Sequence, residues 1–259
     1  MKSIDPGRAE GERGRRLSYD DRFSFRCHAA LNCFNRCCRN LNLFLYPYDV
    51  VRLKSALGLP SGVFIDRHTD LVLREGNAFP EVLLRMSETE EKTCPFLTGE
   101  GCSVYRDRPD TCRHFPVEHG LQFRDGGPPE PVYFYRPPDF CLGRGEPEQW
   151  TVEQWRRDQE AERHAEMTRR WAEVKRLFDG DPWQGEGPYG PRGKMAFMAA
   201  YNVDAFRSFV FQSSFRKRFR VKPKRLEAAR RSDSALLRLG FDWIRLFVFG
   251  TPTATIRPR

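Results

Sequence analysis

No cysteine occurs in the last 118 of the 259 residues, and no Cys-x2-Cys pair occurs anywhere. The second absence excludes the paired-knuckle pattern of ordinary structural zinc fingers. Long apolar runs are also missing. Leu41–Tyr46 and Leu246–Phe249 are among the longest, and a membrane helix needs about 20 such residues. Residues 1–22 are charged throughout and lack the apolar stretch of a signal peptide. The expectation is a chain with no membrane span, in a reducing, cytoplasmic setting where disulfides are a poor explanation for thiols. There is no Gly-x-Ser-x-Gly, no phosphate-binding Walker loop and no His-Glu-x-x-His, and no nucleophile–base pair stands out. Whether the chain is an enzyme therefore stays open. Gly185-Glu-Gly187-Pro-Tyr-Gly190 spells a dinucleotide fingerprint, but it follows a helix and contains Pro188, so a Gly/Pro linker fits better.

What the sequence does have is eight cysteines, all in the first 141 residues: Cys27, Cys33, Cys37, Cys38, Cys94, Cys102, Cys112 and Cys141. Inert core cysteines have no reason to segregate in this way. Thiolates are the soft ligands preferred by zinc, iron and iron–sulfur clusters. Several must converge, because each offsets part of the metal charge and fills a corner of a tetrahedron. All eight are therefore candidate metal ligands. The cofactor is iron, as ions or as an iron–sulfur cluster, or zinc. Adjacent Cys37 and Cys38 are awkward on one ion because consecutive side chains point apart. They suit two different metals, or one ligand beside one buried or reactive thiol. Two four-thiolate sites are one arrangement, and spacing alone does not assign the sets.

Charge is also segregated. Phe23–Gly145 carries 15 basic and 15 acidic residues, whereas Arg192–Arg231 carries 12 basic residues against Asp204 and Glu227. The run Arg216-Lys-Arg-Phe-Arg-Val-Lys-Pro-Lys-Arg225, with Phe215 and Phe219 interleaved, is either a solvated helix face or a holder of nucleic-acid or lipid phosphates.

Pattern predicts an α+β fold: an irregular, metal-organised cysteine-rich domain with short strands, then a mostly helical part. The expected divisions are a flexible arm at 1–22, a cysteine-cluster domain at 23–145 and a helical extension at 146–259. Pro47–Leu57 reads as a helix with proline in its first turn. Leu71–Arg74, Val82–Arg85, Gly120–Arg124 and Val132–Tyr135 read as strands around turn-rich stretches, 125–131 among them. Pro109 suits the opening of a helical turn carrying Cys112. Thr151-Val-Glu-Gln154 is a capping box opening a helix that breaks near Gln159 and ends near Asp179-Gly180. Further helices are expected at about 195–219 and 233–249.

Cys33-Phe-Asn-Arg-Cys37-Cys38, Cys94-Pro-Phe-Leu97, Gly101-Cys102 through Cys112-Arg113-His-Phe115-Pro116, and Cys141-Leu-Gly143-Arg-Gly145 together resemble the YkgJ-like cysteine-cluster family, a zinc- or iron-chelating domain. Leu142 stands where that family usually has proline. The resemblance spans Cys27 to Gly145 and implies metal chelation by these cysteines. A relative of this cysteine domain, the flagellin lysine N-methylase, implies an alternative, a metal-dependent modifying enzyme using S-adenosylmethionine. A nucleic-acid-associated module using the basic C-terminal half is a further alternative. The metal ion is the expected partner.

His28, His114 and His119 lie near cysteines, and each is read first as a satisfied histidine and second as a mixed-site ligand. Arg108 and Arg113, with Asp110, are either supports for the Cys112 sulfur or a surface pair around the Pro109 turn.

Overall fold

The computed structural model describes residues 14–124, 127, 129–180 and 182–259, so most of the expected arm, Asp181 and part of the 125–131 turn lie outside the described residues. The architecture is α+β, with helices beside several small antiparallel sheets. Among the described residues no helix is long and apolar enough to cross a membrane. The chain forms two compact units, one from the residues up to Leu43 with Arg85–Arg169, the other from Phe44–Leu84 with Arg170–Arg259.

In the first unit Arg15–Leu17, Glu130–Tyr135 and Val117–Gln122 form a three-stranded sheet with the 130–135 strand central. Arg22–Ser24 pairs with Gln149–Thr151. Phe23, Phe25, Val117, Tyr133, Val152 and Trp155 form the core beside Cys141. Trp155 is its hub. It meets Phe23 and Phe25 edge-on, at 6.0 and 5.5 Å between ring centroids, an arrangement worth about 0.5–1.5 kcal/mol per pair beyond area burial. Its indole N–H donates to the His114 carbonyl at 3.0 Å.

Trp155 sits on helix Val152–Asp158, which starts where the sequence placed it. The Gln154 N–H donates to the Thr151 hydroxyl at 3.1 Å, and the Thr151 N–H donates to the Gln154 side chain at 3.0 Å. The helix stops at Gln159, and Glu160 follows with φ 51°. Helix Glu162–Lys175 then continues into a 3-10 turn ending at Asp179.

In the second unit Glu81–Leu84 is the middle strand between Phe44–Leu45 and Thr69–Val72. The last of these begins two residues before the expected start, because Thr69 closes the preceding helix by donating its hydroxyl to the Ile65 carbonyl at 2.8 Å. Helix Pro47–Ala56 has proline at its first position and Asp49 accepting from the Tyr46 N–H at 2.9 Å. Helix Asp233–Phe249 starts under the Ser232 side chain and ends at Gly250, φ 66°, where glycine bears the left-handed turn without strain. It meets helix Pro191–Tyr201 at Gly240, where a Cβ would stand 2.3 Å from the Ala199 carbonyl oxygen.

The region expected as helix at 195–219 is broken twice. Asn202 ends the first piece and caps the second, accepting from the Ala205 N–H at 3.2 Å while also holding the Ser61 hydroxyl at 2.8 Å. Ser213 ends helix Val203–Gln212. The basic run is not one helix face: Phe215–Arg218 is a short helical turn, Phe219–Val221 a strand and Pro223–Arg231 a helix. Pro223 cannot continue a ladder, and its fixed φ suits a helix start.

Candidate metal centre

Most of the cysteines sit on turns and strand ends of the first unit, and Cys112 sits on a short helix. Asn35, at φ 63°, turns the chain into the 3-10 turn Arg36–Cys38. That turn presents Cys37 and Cys38 side by side, close enough for each thiol to shift the other. Sharing one proton between the two sulfurs lowers the Cys37 thiol and raises the Cys38 thiol.

Two long-range contacts tie the segment Cys33–Cys38 to the later cysteines. Downstream, the Cys94 N–H donates to the Cys38 carbonyl at 2.9 Å, and Arg39 bridges antiparallel to Thr93. Cys94 then leads into the hairpin Leu97–Thr98/Gly101–Cys102, whose register sets Cys102 opposite Leu97. The Phe96 and Val104 amides donate to the sulfurs of Cys94 and Cys102 respectively. Both thiols are still raised by burial, and the Arg108 charge opposes that rise at Cys102. Cys112 lies on helix Asp110–His114, close enough for a charge there to raise Cys38 further, as Cys94 does.

Upstream, the Leu142 N–H donates to the Cys33 sulfur at 3.2 Å. The turn after Cys141 offers its Gly143 and Arg144 amides to the Cys141 sulfur. Gly143 has to be glycine, since a Cβ there would meet the Arg26 carbonyl oxygen at 2.6 Å. In return the Arg26 N–H donates to the Gly143 carbonyl at 3.1 Å, which lays Cys27 against the Cys141 turn. Cys27 is exposed as a residue, yet its thiol is pushed up to about 11, by desolvation first and then by the thiols of Cys37, Cys33 and Cys141.

Cys27 and Cys141 feel the charges of Cys33 and Cys37, Cys38 feels those of Cys37, Cys112 and Cys94, and Cys94 feels that of Cys102. The chemistry suits a metal. Soft sulfur donors neighbour one another, although among the described residues no three of them lie within 4.8 Å of one another, and backbone amides aimed at sulfur orient thiolates and moderate their charge. In the raised thiols crowding opposes ionisation, and a cation removes that opposition.

The group whose donor atoms all lie within 4.8 Å of one another is a different one: Asp110, His114 and His119. Its geometry fits support better than chelation. The two imidazoles stack at 28° with centroids 4.7 Å apart, so their lone pairs run side by side instead of converging. His114 Nδ1 lies 3.0 Å from the Asp110 carbonyl oxygen, and Thr168 donates to the Asp110 carboxylate at 3.1 Å. Burial would raise Asp110, but His114 and His119 hold it well below the usual carboxylate range. The Arg156 charge next to His119 is a poor neighbour for a cation. This knot braces the helix that carries Cys112. The i,i+4 spacing of Asp110 and His114 was its readable sign. His28 faces Glu146 at 3.5 Å.

Arg108 and Arg113 are buried, at 7% and 2% exposure, so neither belongs to a surface pair. Arg113 donates to the carbonyls of Gln159 and Arg106, both at 2.6 Å, and Arg108 to Tyr105 and Gln159 at 2.5 and 2.6 Å. They bind the loops around Cys102 and Cys112 to the end of helix Val152–Asp158.

Turns and thiols of this kind define a cysteine-cluster domain. Residues 26–142 match the family model described as "CxxCxxCC: Putative zinc- or iron-chelating domain", in agreement with the YkgJ-like resemblance of the same stretch. No curated protein matches the chain, and no solved structure does.

Proposed function

We propose that the chain binds zinc or iron through its eight cysteines in two adjacent four-thiolate sites, Cys27/Cys33/Cys37/Cys141 and Cys38/Cys94/Cys102/Cys112. The observations that carry this reading are the thiol neighbours of the adjacent pair: a charge on Cys37 raises the Cys27 and Cys141 thiols, while charges on Cys112 and Cys94 raise Cys38, whose carbonyl accepts from the Cys94 N–H at 2.9 Å. Cys37 and Cys38 lie side by side where the two sets meet, so each set takes one of the adjacent sulfurs. The thiols close around an ion as it binds, and that closure adds folding free energy to a loop-built region.

Zinc is coordinated tetrahedrally by four thiolates without redox chemistry, and iron takes the same set as an ion or a cluster. Anaerobic purification followed by metal analysis, sulfide analysis and a visible spectrum separates these cases. Iron with inorganic sulfide and visible absorption assigns clusters. Colourless protein with zinc assigns structural or metal-handling sites. Absence of both metals overturns the proposal.

A further inference from the structure

The strand Ile256–Pro258 pairs antiparallel with Phe219–Val221 in a register that sets Arg220 opposite Arg257. Directly opposed residues share a face, and like charges placed so destabilise a strand pair. The ladder continues one step further, because the Arg259 N–H donates to the Arg218 carbonyl at 3.0 Å. Arg218, the last residue of the helical turn, and Arg259 thus stand opposite each other next to the Arg220–Arg257 pair, with the Arg218 guanidinium 6.0 Å from the Phe219 ring centroid. The alternate positions carry Phe219 and Val221, half-buried, and Ile256, buried.

All four arginines are exposed. Among the described residues none of them forms an ion pair, and the nearby Glu227 carboxylate goes to Arg231 at 2.7 Å. No acidic residue occurs in Phe215–Arg225 or Thr251–Arg259, while Lys217, Lys222 and Lys224 add exposed positive charge. The fold has thus gathered cations from two distant stretches of chain onto one small ribbon, and the Asp242 carboxylate near it is engaged by Thr255, Thr253, Arg245 and Arg225 and by none of the four arginines.

We propose that this ribbon docks on the phosphate backbone of nucleic acid. Guanidinium forks match phosphate oxygens two at a time, and a two-stranded ribbon is one of the shapes the major groove admits. A lipid surface fits less well. Elements that lie in a membrane interface pair a basic face with an exposed apolar one. Here the apolar face is turned inward, and among the described residues no large exposed apolar side chain lies in Phe215–Arg225 or Thr251–Arg259. The inference is independent of what the cysteines bind.

The test is fluorescence anisotropy of labelled duplex DNA and single-stranded RNA with the full chain as purified, over a salt series. Four phosphate contacts predict a log–log salt slope of about −3 to −4. The double variant Arg220→Gln/Arg257→Gln reduces the slope by about two, with a melting temperature equal to or above the parent's, since it removes the cross-strand repulsion. Arg218→Gln/Arg259→Gln gives the same loss, and Arg220→Lys/Arg257→Lys keeps most of the slope. Arg163→Gln, on an exposed helix elsewhere, changes nothing. Absence of salt-dependent binding to either nucleic acid, an unchanged slope in both glutamine variants, or binding to phosphatidylserine vesicles alone overturns the proposal.

Discussion

The backbone amide of Leu142 donates to the sulfur of Cys33 at 3.2 Å across more than a hundred residues of chain. That contact closes one thiol neighbourhood, and it depends on how tightly the Cys141 turn packs on the strand before Cys27. Gly143 makes the approach, with its missing Cβ leaving room for the Arg26 carbonyl.

Gly143→Ala should therefore open the upstream site. A methyl 2.6 Å from a backbone oxygen has to move that backbone, at a cost of about 1–3 kcal/mol. The expected outcome is a lower melting temperature and loss of part of the bound metal, read together by thermal denaturation and elemental analysis. Full metal content at unchanged stability would show that the turn has slack.

Gly240→Ala tests the same physics away from the thiols. Its Cβ would press on the Ala199 carbonyl at 2.3 Å between two helices of the second unit. A loss of about 1–3 kcal/mol in chemical denaturation is expected, with metal content unchanged. A drop in bound metal would mean that the second unit matters to the thiol sites, which their geometry does not predict.

Much of the local structure was legible because local signals agreed with one another. Pro47, the Thr151–Gln154 box, and the apolar face of 233–249 that Gly250 ends each placed a helix. Which cysteines lie near one another was not legible, because the contacts that bring remote segments together, the Leu142 N–H on the Cys33 sulfur and the Cys94 N–H on the Cys38 carbonyl, are encoded by no spacing. The surface-pair alternative for Arg108, Arg113 and Asp110 failed, because local charge gives no sign that backbone carbonyls 46 and 7 residues away hold Arg113, or that the Tyr105 carbonyl and the Gln159 side chain hold Arg108. In the basic run the alternation Arg218, Arg220, Lys222 was a strand signal with period two, masked by good helix formers on either side.

Acid should weaken the second unit at Glu81. Burial would raise this carboxyl, but the hydrogen bond and charge of Lys175, with Arg74, outweigh burial and lower it. A depressed folded-state value means a contribution fully present above the ordinary glutamate range and lost as pH falls through the folded value. Glu81→Gln should therefore be destabilised relative to the parent at neutral pH, with the gap narrowing below about pH 4.5. Urea midpoints across pH check this, and a gap that stays constant in acid would refute it.

The measurement that tests the central claim most directly is the number of metal ions per chain, in anaerobically purified parent protein and in Cys141→Ser and Cys102→Ser, with circular dichroism confirming the fold of each. The account predicts about two metal centres in the parent and about one in each variant, because each substitution opens a different four-thiolate set. A single centre in the parent, or loss of all metal on either substitution with the fold intact, would contradict the division into two sites. A parent chain without zinc or iron would contradict chelation itself.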